Sequence, residues 1–196
     1  LKTTQVASSA ASAVEVQVNG DEALTGTYDI TVQQLAQSQS NMSNSQSGSA
    51  AALNSGVGFS LTVTLGVATP VAHQISVVTD TPQGVVDAIN AADMGVSAIL
   101  VNISSTGDDW RIVLNGPTGS DNDFSVSSAV DLGFAANPLR LAEDAIVTMN
   151  GITNITRSSN TLTDVIPGVT MNLLQADVSQ AISVRVTEDQ APLRTA

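Results

Sequence analysis

The sequence contains no cysteine, which excludes disulfide bonds, thiolate nucleophiles and cysteine-ligated metals. Aromatic residues are nearly as scarce, at 3%: Phe59, Phe124, Phe134, Tyr28 and Trp110. A core must therefore come from Val, Ile, Leu and Ala, which suits sheet packing better than a large ligand pocket. Basic residues are few as well. Six Lys and Arg face 18 Asp and Glu, a net charge of −12, and the acids are scattered rather than gathered in a tail. Such a surface repels phosphate backbones and anionic lipid headgroups, so neither nucleic-acid binding nor attachment to a membrane surface is expected. No apolar run approaches the roughly 18 residues of a membrane-spanning helix, and no charged-then-apolar leader opens the chain. Leu1 is not a start methionine, which reads as an excised piece whose native termini lie elsewhere. The lack of cysteine fits a protein exported unfolded through a narrow channel, and equally a cytosolic one.

What is present is a succession of short apolar alternations in 196 residues, room for one or two domains. Residues 1–13 are rich in Ser, Thr and Ala and read as a linker or an extended lead-in. Val14, Val16 and Val18 alternate with polar residues, as do Tyr28, Ile30 and Val32. The two runs are expected to form an antiparallel hairpin. From Ser38 to Ser49 the composition collapses to Ser, Asn, Gln and Gly, the mark of a flexible connection. Val57–Val67 and Gln74–Val78 read as strands around a turn at Pro70. A second joint is expected near Leu132–Ala142. Beyond it, Asn150-Gly151 separates the apolar runs Ala145–Met149 and Ile152–Ile155, a strong hairpin signal because a type I′ turn needs positive φ at both positions. A turn at Arg157–Asn160 and a strand pair, Val169–Leu174 with Ala181–Val186, complete the pattern. Pro167 and Gly168 form the turn that feeds the first of that pair.

The best-organised stretch runs from Thr79 to Val126. Thr81 is placed to cap a helix, Pro82 fits its first turn, and Gly95 offers a left-handed cap at its end. Val85, Val86, Ile89 and Ala92 share one helical face. Val96–Asn102 and Trp110–Asn115 follow as strands, with turns at Ser105–Asp109 and Gly116–Gly119. The fold class is therefore mainly β (α+β), with two β-rich domains of antiparallel sheets. The expected organisation is a discontinuous domain of residues 14–38 plus 142–188. A second domain, 39–141, is inserted in it and carries one main helix near 82–93. Residues 1–13 and 189–196 are linker ends.

Chemistry finds little purchase. A Ser-His-acid arrangement needs a histidine, and His73 is the only one; it reads as a strand-end residue. Zinc lacks ligands. For calcium, Asp121, Asn122 and Asp123 cluster, as do Asp108 and Asp109, but a loop beginning at Asp121 has Val126 and Leu132 where Gly and Glu are required. These acids read as turn residues. Glu143 and Asp144 are adjacent and on a strand would point to opposite faces, so they cannot flank one glycosidic bond. The Gly-containing run GVGFSLTV has no lysine and leads into a strand, unlike a phosphate loop. Trp110 reads as a strand-start residue half-packed on a sheet. No catalytic residue, metal ligand or cofactor site is expected, no binding residue is assigned, and the chain is not expected to be an enzyme.

Residues 79–126 resemble the flagellin hook IN motif: a helix ending in Ile89-Asn90, a GV-x-A start to the next strand at Gly95–Ala98, an apolar strand at Arg111–Leu114 and a turn at Thr118-Gly119. Two further segments narrow the resemblance. Thr27–Ser40, with its strand and QLAQ, and Ala142–Leu173 are similar to segments of the flagellar filament cap family (hook-associated protein two). In the latter, Arg157, Ser158, Asn160, Asp164, Ile166, Gly168, Val169 and Thr170 match that family's pattern in order. The resemblance implies a structural protein that self-assembles into a ring at the distal tip of the flagellum and guides flagellin into the filament. It also implies location outside the cell, export without a cleaved signal peptide, flagellin as partner and an export chaperone. This chain would be the head portion. Alternatives are a variable domain of a flagellin or other hook-associated protein, or a secreted adhesin or carbohydrate-binding module.

Overall fold

The computed structural model describes residues 3–19 and 23–189. Those residues contain fifteen strands, all paired antiparallel, one α-helix and two short 3-10 turns, as expected for a mainly β chain. They fall into two compact units, one of residues 1–36 and 144–196, the other of residues 37–143.

In the first unit, β1 (Thr3–Ser8), β2 (Val14–Val18) and β3 (Gly26–Gln34) precede the crossing into the second. After the return come β11 (Ala145–Met149), β12 (Ile152–Arg157), β13 (Thr161–Ile166), β14 (Val169–Leu173) and β15 (Ile182–Asp189). They build a sheet of order β1-β15-β3-β11-β12 and another of order β13-β14-β2. Alternation makes both sheets one-sided. Ile30, Val32, Val147 and Val184 from the first sheet share a core with Val14, Leu162, Val169 and Met171 from the second.

Three expectations fail in this unit. Residues 1–13 are not a linker, because β1 lies along β15 from Thr3↔Asp189 to Ser8↔Val184; of the other linker end, residues 190–196 lie outside the described residues. The runs 14–18 and 26–34 do not form a hairpin: β2 pairs with β14, β3 with β11 and β15. Likewise β14 and β15 do not pair with each other but join different sheets. The cause is common. Alternation says which face of a strand is buried, but its partner is chosen by the core it fills. The local signals behave differently. Asn150 (φ 49°) and Gly151 (φ 81°) both take positive φ between Met149 and Ile152, which pair directly.

The second unit holds β4 (Ser38–Met42), β5 (Phe59–Leu65), β6 (Val71–Val77), the helix α1 (Pro82–Ala91), β7 (Ser97–Asn102), β8 (Trp110–Thr118), β9 (Phe124–Ser128) and β10 (Pro138–Arg140). Its sheets have orders β10-β4-β8-β7 and β6-β5-β9. Val85, Val86 and Ile89 of α1 join Leu61, Val63, Ile75, Ala98, Ile112 and Leu114 in one core. Thr81 caps the helix, its Oγ1 accepting from Gly84 N–H at 3.1 Å. Gly84 itself is needed because a Cβ there would run into the Thr79 carbonyl. The helix ends sooner than Gly95: Ala92 is its C-cap, and Asp93 takes the left-handed conformation first (φ 44°).

The Ser38–Ser49 stretch is not a flexible connection. Its first five residues are β4, between β8 and β10, and Gln39, Ser40, Asn41 and Ser43 are buried. The turn expected at Gly116–Gly119 is likewise displaced, since β8 runs on to Thr118. The two ends of this unit meet. Gln37 N–H donates to the Glu143 carbonyl (2.9 Å), Glu143 N–H donates back (3.0 Å), and the Gln37 Nε2 donates to Glu143 Oε2 (3.0 Å).

Candidate functional site

The residues weighed for chemistry are scattered by the fold and occupied with structural bonds. His73 is half-buried in β6, across from Val63. Asp121 and Asn122 lie in a 3-10 turn, Ser120–Asn122; the carbonyls of Asp121 and Asp123 accept the Val67 and Gly66 N–H groups, and Asn122 Nδ2 donates to the Thr118 carbonyl. Asp108 accepts the Trp110 ring N–H at 3.0 Å, with Trp110 half-buried at the head of β8. Its neighbour Asp109 instead takes Arg111 through two bonds (2.6 and 3.2 Å) and the Ser45 hydroxyl (2.6 Å). Arg111 first and Ser45 second hold the Asp109 carboxyl below its ordinary range. Glu143 and Asp144 fall at the junction of the units, the first bound to Gln37 through its side chain, the second accepting Gln34 Nε2 through its carbonyl. Among the described residues no group of three or more His, Cys, Asp or Glu is placed to hold a metal. No helix among them is long and apolar enough to cross a membrane.

The motif positions do have a shared geometry, built from side-chain amides. Ile89 points into the core while Asn90, one residue on, turns outward. Asn90 Nδ2 donates to the Ala98 carbonyl (2.9 Å) and Ala98 N–H donates to Asn90 Oδ1 (2.8 Å). Since β7 is the edge of its sheet, Ala98 has no strand on that side, and the amide takes the place of one. The Ile-Asn pair thus does two jobs with adjacent residues: one buries the helix, the other ties its end to the strand that follows.

Asn160, from the other matched segment, repeats the pattern. Ala36 N–H donates to Asn160 Oδ1 (2.7 Å) and Asn160 Nδ2 donates to the Ala36 carbonyl (2.9 Å). Ala36 is buried and is the last residue before the chain crosses into the second unit. A third amide, Gln39, does the same inside the second unit. It donates to the Phe124 carbonyl (2.8 Å) and accepts from Phe124 N–H (2.7 Å), while also donating to Asn41 Oδ1 (2.9 Å). Gln39 has no signature in the sequence, since it stands in a polar stretch without apolar alternation.

A family model described as the C-terminus of flagellar hook-associated protein 2 matches residues 142–196. The chain is 32% identical over 123 residues to flagellar hook-associated protein 2 of Salmonella typhimurium, a match covering 56% of this chain and 25% of that protein. It is 32% identical over 103 residues to the protein of the same name from Treponema maltophilum, covering 52% and 14%. Its fold matches the crystal structure of domains D2–D3 of the flagellar cap protein FliD from Escherichia coli with a TM-score of 0.84 and 27% identity, across 96% of this chain and 100% of that one. The chain is thus similar to flagellar cap proteins over nearly its whole length. It spans a quarter of the length of the Salmonella relative and about a seventh of the Treponema one. In the cap protein family's terms the matched E. coli domains contain both units, and the family-model match begins in the last two residues of the second unit and continues through β11 to β15.

Proposed function

We propose that this chain is the head portion of a distal filament cap, which self-assembles into a ring at the flagellar tip and promotes the addition of flagellin subunits there. The match to the whole of the E. coli D2–D3 chain carries this reading. Flagellin is the partner, with an export chaperone before secretion, and the protein reaches the outside of the cell without a cleaved signal peptide. The role is structural rather than enzymatic: the polar side chains weighed for catalysis serve turns, strand edges and ion pairs. An acidic surface of net charge −12 suits a solvent-facing head. The test is deletion of the full-length protein. Cells without it should shed flagellin monomer and carry stunted filaments; full-length filaments with no shed flagellin would overturn the reading.

A further inference from the structure

The two outer faces of the second unit differ in kind. On the β6-β5-β9 sheet, register partners place Thr62, Gln74 and Ser127 in one row and Ala72, Thr64 and Ser125 in the next, an uncharged and polar surface. On the β10-β4-β8-β7 sheet, Met42, Val113 and Ile99 form a row across three strands, with Val101 and Arg111 beside it. None of these apolar residues belongs to the unit's core, and Ile99 is 50% exposed. Arg140 shares this face, its row running through Ser40 and Asn115 to Ser97. Exposed Leu139 and Leu141 stand to either side of it. Residues 37–143 contain nine acids and only two basic residues, Arg111 and Arg140. Both lie on this one face.

The complementary feature is on another sheet. The tip of the β5–β6 hairpin, residues 66–70, exposes Val67, and Val71 just past it is also exposed. Concavities of about 380 and 300 Å³ lie on its two sides, one lined in part by Asp121 and His73, the other by Asp123 and Phe124. Asp121 is exposed. Asp123 Oδ1 is buried without a hydrogen-bond partner, a position that wants a donor.

We propose that the β10-β4-β8-β7 face receives the β5–β6 tip of a second copy of this chain, with Val67 and Val71 against Ile99 and Val113, and Arg140 meeting the acids at the base of the tip. This rests on the reading above that copies assemble. The match is one of charge and apolarity together. Arg111 is already held by Asp109, so the attraction for another copy's acidic tip comes from exposed Arg140, whose guanidinium donates to Ser38 alone among the hydrogen bonds described, on a chain of net charge −12. Because face and tip belong to different sheets, the contact is heterologous, the class that forms a ring when the rotation between copies closes.

The experiment uses the full-length protein, with oligomer mass read by sedimentation velocity across a concentration series. Arg140→Glu and Ile99→Glu, both at exposed sites, should each weaken assembly about ten-fold or more. Adding Asp121→Arg to Arg140→Glu in the same chain should restore it. These 196 residues hold no cysteine; with any cysteine elsewhere in the full-length protein replaced by serine, chains carrying Ile99→Cys should form disulfide dimers with chains carrying Val67→Cys, and neither should do so alone. Wild-type assembly by both Glu variants, with melts unchanged, overturns the proposal. Loss that Asp121→Arg does not restore overturns the choice of the tip as occupant. A wild-type protein that stays monomeric sinks the ring reading itself, a result distinct from either.

Discussion

Asn160 and Asn90 make the same pair of hydrogen bonds in the two units, but under different conditions. Asn160 is half-buried and reaches Ala36, 124 residues away in sequence and itself buried; Asn90 is exposed and reaches Ala98, eight residues away. The geometry is alike, so the difference in worth comes from solvent. If Asn90 is removed, water can take up the Ala98 N–H and carbonyl. If Asn160 is removed, the groups on Ala36 lose their partner where water has less access, and an orphaned buried group costs more than the bond itself contributed. Gln39 lies further along the same scale, buried and bonded to three atoms.

The comparison predicts an order. Gln39→Ala should have the largest effect, destabilising residues 37–143 by about 3 kcal/mol in chemical denaturation, because it strands both backbone groups of Phe124. Asn160→Ala should follow at about 2 kcal/mol and Asn90→Ala at about 1 kcal/mol. Equal losses for the two asparagines would break the argument from burial. Asn90→Asp sharpens it: the carboxylate can still accept from Ala98 N–H but cannot donate to its carbonyl, so hydrogen exchange should stay slow at the Ala98 amide while stability falls.

The smallest effect belongs to a surface ion pair. Arg157 holds Asp164 by contacts of 2.8–3.0 Å and depresses the carboxyl from its ordinary value. A depressed carboxyl contributes stability above its unfolded pKa of about 4. That contribution is lost as pH falls through the lower folded value. With 39% and 59% of the two side chains exposed, it should amount to under about 1 kcal/mol. Arg157→Ala should raise the Asp164 titration midpoint, followed by NMR, and remove this part of the acid dependence.

How much could be read from the chain follows the same division between near and far. Thr81, Pro82 and the apolar face through Ile89 specify the helix from within eleven residues, and Asn150-Gly151 specifies its hairpin from within two. Strand partners were not legible. Val14, Val16 and Val18 would suit any one-sided sheet, and nothing near them announces Thr170 or Met171 as neighbours. Least legible was β4, whose Ser, Gln and Asn carry the composition of a loop. Gln39 and Asn41 can be buried there because Phe124 and Phe134 supply backbone groups to meet them. The motif asparagines could be located in the sequence, but their bonds to Ala98 and Ala36 required the fold.

The bonded pair of Gln37 and Glu143 has a consequence for how much length the second unit tolerates. A chain that leaves and re-enters at one ladder rung closes a loop whose entropic cost grows only slowly with its length. The 105 residues between the two are therefore a loop whose length the closure itself barely constrains.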